Sequence, residues 1–134
     1  MNALWALGRA MLGVLFVIAG VNKILGFSGS LAYMQSKGFP SMDVAGYPLV
    51  LLLLYATIAV EILGGLSLIT GLGARVGGLL LAAFTLAAAI IFHNFWAVDA
   101  TQYANQMNHF LKNIAIAGGL LLIVAQPSRD DRYA

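Results

Sequence analysis

The sequence predicts an all-α membrane protein: a four-transmembrane-helix bundle with short interfacial helical segments in its loops. Three observations carry this. Hydrophobic residues make up 61% of the 134 positions and charged residues only 9%, whereas soluble domains carry roughly 25% charged residues. So few charges cannot cover a soluble surface, and lipid must solvate the chain. Four segments approach or reach the roughly 20 mostly apolar residues that a spanning helix needs. The breaks between them fall at Gly, Pro and short polar stretches. The length fits a single domain over residues 1–134.

The first span covers about 3–25 and ends at Gly26. No basic stretch precedes it and Arg9 interrupts it, so it reads as a membrane span rather than a cleaved signal peptide. A polar loop, FSGSLAYMQSKGFPSMDVAGYP, follows. Its LAYMQSKG portion predicts a short interfacial helix stopped by Gly38 and Pro40. The second span covers about 48–71, with Pro48 in the first turn. Gly71 and Gly73 predict a tight turn into the third span, about 74–96. NFWAVDATQYANQMN is the next loop, with an interfacial helical turn. The fourth span covers about 108–126 and is stopped by Pro127, before the polar tail SRDDRYA.

Four spans place both termini on one side of the membrane. The short turn and the tail carry Arg75, Arg129 and Arg132, while the longer loops carry Lys37, with Lys23 and Lys112 at helix edges. That balance favours cytoplasmic termini. Small residues predict close helix packing. Gly73 and Gly77 form a GxxxG pair, Ala115 and Gly119 a similar one, and Gly64-Gly65, Gly77-Gly78 and Gly118-Gly119 are doublets. The packing candidates are Gly64, Gly65, Gly77 and Gly118. The same glycines make a homo-oligomer plausible.

Composition also excludes chemistry. With no cysteine there is no disulfide, thiol relay or thiolate-bound metal. A net charge of +2 without a basic, aromatic-interleaved patch argues against nucleic acid. There is no Ser-His-Asp arrangement, phosphate loop or dinucleotide fingerprint, so no catalytic residue is assigned. His93, His109 and Asp99 lack a tight metal motif, and no metal site is expected.

Glu61 is the acidic residue inside the apolar spans, and a carboxylate at that depth marks a functional site by default. It lies roughly 15 Å from the Gly71 end of its helix, and Arg9 roughly 8–10 Å from the same face. Arg9–Glu61, with Arg75 as helper, is therefore the expected ion pair. Thr57, Gly64 and Gly65 share the Glu61 face, where the glycines would leave room for an Arg or a ligand head. Three roles stay open for Glu61: a register-fixing pair, a ligand contact, or a proton carrier. A second polar group gathers Asn22, Lys23, His93, Asn94, Gln106, His109, Lys112 and Asn113 at the opposite membrane face. One seam of Arg9, Lys23, Glu61, Arg75, His93, Lys112 and Asn113 could run through the bundle. The alternative is that Lys23 and Lys112 snorkel to the interface, with Trp96, Tyr103 and Phe110 as an aromatic belt.

The stretches LGRAMLGVLFVIAGVNKILGF, VEILGGLSLITGLGARVGGLLLAAFTL, FHNFW and NHFLKNIAIAGGLLLIVA together resemble the DoxX family of small bacterial inner-membrane proteins. The resemblance covers about residues 7–126. It matches Arg9, Lys23, Glu61 with Gly64 and Gly65, Gly71 with Arg75, His93, Lys112 and Asn113. The tail departs, with Gln126-Pro127-Ser128 where relatives often carry Gly-Pro-Gly. The resemblance implies a four-helix inner-membrane bundle and a quinone-linked, redox-associated role beside a partner protein. His93 would then donate to a quinone oxygen, Lys112 stabilise its charge, and Glu61 hold or relay a proton. With no redox cofactor motif in the chain, the partner would supply electrons. The alternative is a non-enzymatic scaffold, or a small carrier for an amphiphile or anion.

Overall fold

The computed structural model describes residues 2–126. The expected stop at Pro127 and the tail with Arg129 and Arg132 lie outside them. Helix α1 spans Ala3–Leu25 and opens on Asn2, whose side chain accepts from the Leu4 N–H. Gly26 ends it. Helix α2, Phe27–Gln35, follows at once. The interfacial helix thus exists, but it starts four residues before the expected LAYMQSKG stretch, because Gly26 bends the chain without stopping helical pairing.

Strands β1 (Asp43–Val44) and β2 (Tyr47–Pro48) form a small antiparallel hairpin that the sequence did not predict. Its turn residues Ala45 and Gly46 both have positive φ, 52° and 82°, as the favoured two-residue hairpin turn requires. Ala is rare at such a position, so the signal is faint. Pro48 then leads into helix α3, Leu49–Thr70. Gly71 and Gly73, with φ of 86° and 64°, make the expected turn into helix α4, Ala74–Phe92.

Helix α4 stops four residues short of the expected 96 and is followed by a 3-10 turn at Phe95–Ala97. Helix α5 runs Ala100–Ala125, starting eight residues before the expected 108. Asp99 explains the early start. Its carboxylate accepts from the Thr101 and Gln102 N–H groups and from the Thr101 hydroxyl, a strong N-cap. The Thr101 hydroxyl, with those two N–H groups, holds the Asp99 carboxyl below its usual range. The polar stretch that follows therefore continues a helix instead of a loop.

All four long helices are long and apolar enough to cross a membrane. Their outer faces carry large exposed apolar side chains, such as Leu4, Leu63, Leu72 and Leu122, which only lipid can solvate at this density. Helix α1 packs on α3, α3 on α4 and α4 on α5, while α5 touches α1 sparingly. Consecutive contacts are antiparallel.

The two halves of the bundle differ. Near the α3–α4 turn the helices close tightly around Phe16, Leu68, Ala74, Leu81, Ala82, Leu120 and Ile123. Glycines permit this. A Cβ on Gly65 would lie 2.7 Å from the Gly13 carbonyl oxygen, and one on Gly64 2.8 Å from Leu81. A Cβ on Gly77 would collide with the Ser67 hydroxyl. Of the expected packing glycines, Gly64, Gly65 and Gly77 serve that role. Gly118 does not: it is exposed, with no atom within 4 Å of a built Cβ. It lies on the lipid-facing side of α5, one position from Gly119, which does face Leu12.

Gly65→Ala should therefore destabilise the bundle by about 1–3 kcal/mol through overpacking. Gly118→Ala should leave stability unchanged or slightly raised, since Ala favours helix. Thermal unfolding of the two variants in one detergent checks the contrast.

Candidate functional site

Glu61 sits on α3 at the boundary between the tight half and the loop side. It is 3% exposed. Its Oε1 accepts from Lys23 Nζ at 2.9 Å. The expected partner was Arg9, and register explains the correction. Helices α1 and α3 are antiparallel, with Gly20 packed on Glu61 and Ile62. Lys23 is three residues beyond Gly20, about 4.5 Å along the axis, whereas Arg9 is eleven residues away, about 16 Å. That is too far for a side chain to span.

Arg9 and Arg75 instead serve helix ends. The Arg9 guanidinium lies over Gly71, where a Cβ would come 2.7 Å from Nη1. Its charge therefore meets the negative end of the α3 dipole. Arg75 Nε donates to the Val124 carbonyl at 3.1 Å, at the end of α5. The expected continuous seam is thus divided. Two arginines complement helix C-termini at the turn side, and the remaining polar groups belong to the loop side.

There the helices surround a pocket of about 330 Å³, lined from all five helices. It brings together Lys23, Glu61, His93 and Asn113 from the sequence-derived set, with Thr57 beside them. Gly64 and Gly65 do not contribute room for a ligand, because Leu81 and the α1 backbone fill the space beside them. Lys112 is exposed and does not line the pocket. Relative to His109, Asn113 lies about 40° round the α5 axis and Lys112 about 60° the other way, and Asn113 is the one that faces inward.

His93 ends α4. Its Nδ1 pairs with Gln106 Oε1 at 2.9 Å, and its ring stacks on His109 at 4.9 Å between centroids. If Nδ1 donates to Gln106, a neutral His93 presents Nε2 as an acceptor. Asp99 is engaged as the α5 cap, and among the described residues no three His, Cys, Asp or Glu side chains come together for a metal. Trp96, Tyr103 and Phe110 pack edge-on with Phe95 into one aromatic cluster.

Several lining residues escaped the sequence reading. Thr85 is buried, and its Oγ1 has no hydrogen-bond partner; Glu61 Oε2 is likewise unpartnered. Thr85 is the one hydroxyl in the apolar run GGLLLAAFTLAAAIIF, so the reasoning that singled out Glu61 could have found it. Ser30, Tyr33 and Met34 close the pocket from α2, held there by Tyr33 stacking on Phe92 at 5.6 Å. Only the tertiary fold places them.

Comparison with known proteins agrees with this architecture. The DoxX family model matches residues 4–94. Inner membrane protein YqjF of Escherichia coli is 36% identical over 115 residues, 86% of this chain and 77% of that protein. Inner membrane protein YphA of the same organism is 28% identical over 117 residues, 87% of this chain and 78% of that protein. A Bacillus subtilis protein named "Putative oxidoreductase CatD" is 32% identical over 83 residues, 62% of this chain and 54% of that protein. No solved structure matches at the same significance.

Lys23→Met strands the Glu61 carboxylate, and should cost about 1–3 kcal/mol of bundle stability. Lys23→Met with Glu61→Leu should recover most of that loss, because an apolar pair removes the uncompensated charge. A double-mutant cycle on thermal unfolding measures the coupling, and additive effects would mean the two residues do not interact.

Proposed function

The chain belongs to the DoxX family, and we propose that this inner-membrane protein is a redox-associated accessory subunit that holds a quinone-like amphiphile in its loop-side pocket. The observation that carries the reading is the pocket itself. Its volume falls at the lower end of small-molecule sites, about 300–1,000 Å³. Its walls are Leu15, Phe16, Leu54, Phe84, Phe92 and Ile116, and its polar groups converge at Lys23, Glu61, Thr85 and Asn113. An apolar cavity with a few placed polar groups suits a ring carrying oxygens on an isoprenoid tail. The sparing contact between α1 and α5 offers such a tail a way out to lipid.

Lys23 takes the charge-stabilising role that the resemblance suggested for Lys112, since Lys23 lines the cavity. Glu61, ionised against Lys23, accepts a proton from the head group and relays it. His93, with His109 stacked behind it, leads from the pocket toward the loop-side surface. The chain carries no redox cofactor motif, so electrons come from a partner protein. The name of the Bacillus subtilis relative points to redox chemistry in that protein, and supports the class of role. The Lys and Arg distribution favours cytoplasmic termini, which puts the pocket in the outer half of the membrane.

Native mass spectrometry of the detergent-extracted protein, with bound lipids identified, tests the reading. The wild type should retain a discrete quinone-type amphiphile, and Glu61→Gln should hold its reduced, hydroxylated form at least about tenfold less. Only bulk phospholipid on both proteins would favour a scaffold, with Lys23–Glu61 as a structural pair.

A further inference from the structure

Two buried oxygens in the pocket lack partners, and they differ in what they can bind. Glu61 and Thr85 are each 3% exposed, and Glu61 Oε2 and Thr85 Oγ1 both stand without a hydrogen bond. Both residues line the same cavity. With the Lys23 ammonium on Oε1, the carboxylate is an acceptor on both oxygens, while a threonine hydroxyl donates or accepts. A carbonyl head can take a bond from Thr85, from the Asn113 amide or from Lys23, but it offers nothing to Oε2. A hydroxyl head donates to Oε2 and still accepts from Thr85.

We propose that the pocket discriminates by redox state, binding the reduced, hydroxylated form of its amphiphile in preference to the oxidised, carbonyl form through Glu61 Oε2 and Thr85 Oγ1. This rests on the pocket being a quinone-type site. A site built to accept a substrate hydroxyl rejects the analogue that lacks it, because the buried acceptor is left bare. The preference is at least about tenfold on that ground. By linkage, each tenfold preference raises the midpoint potential of the bound two-electron couple by about 30 mV. The bound oxidised form is then a better electron acceptor than the same molecule free in lipid.

The test uses the full chain in nanodiscs, with a decyl-substituted benzoquinone and its hydroquinone, the latter kept reduced under anaerobic conditions. Calorimetry should show the hydroquinone binding at least about tenfold tighter to the wild type. Glu61→Gln, whose amide both accepts and donates, should bring the ratio close to one. Equal affinities in the wild type, or tighter quinone binding, would overturn the proposal while leaving a quinone pocket in place. Failure of either form to bind would remove the proposed function with it. The wild-type ratio decides by itself should Glu61→Gln fail to fold.

Discussion

The bundle depends on one requirement: a carboxylate inside the hydrocarbon layer has to be compensated. A charge at that depth costs several kcal/mol if left alone, and Lys23 answers it from the neighbouring helix at 2.9 Å. Because Lys23 and Glu61 can meet in only one antiparallel register of α1 and α3, the pair accompanies the close approach of Gly13 to Gly65 and of Gly20 to Glu61. Lys23 remains 30% exposed, so its head keeps partial access to the polar interface. That lowers the desolvation cost on one side of the pair.

The pair also stands where the bundle changes character. On the turn side, glycines let the backbones meet, and Arg9 and Arg75 complement the ends of α3 and α5. On the loop side, Phe84, Phe92 and Leu54 line a cavity, and Ser30, Tyr33 and Met34 of α2 complete its wall. A polar group facing a water-poor cavity interacts more strongly than it would in solvent. The closed half therefore packs backbone against backbone, and the open half leaves a cavity lined by a few polar groups among apolar walls.

Much of this was legible in the sequence. The four spans, the Gly71–Gly73 turn and the need of Glu61 for a cationic partner follow from hydropathy, from glycine conformational freedom and from the cost of buried charge. The identity of the partner of Glu61 was not. Depth arithmetic placed Arg9 and Glu61 relative to one face, but pairing depends on interhelical register, which the packing of Gly20 and Gly65 sets. The role of Gly118 was misread for a related reason, since a glycine doublet shows small size without showing which way it faces. The hairpin stayed hidden because Ala45 occupies a turn position usually marked by Asn, Asp or Gly. Thr85 was overlooked among apolar neighbours, although its isolation there was itself the signal.

Glu61 is the sole glutamate in the chain, which makes one direct measurement clean. Protein carrying ¹³C at the glutamate carboxyl and ¹⁵N at the lysine side chains can be placed in bilayers for solid-state NMR distance measurement. The Lys23–Glu61 pair predicts strong dephasing of the single carboxyl carbon by a lysine Nζ, and loss of that dephasing in Lys23→Met. No lysine dephasing in the wild type, with dephasing from labelled arginine side chains in its place, would contradict the register, the pairing and the pocket built on them.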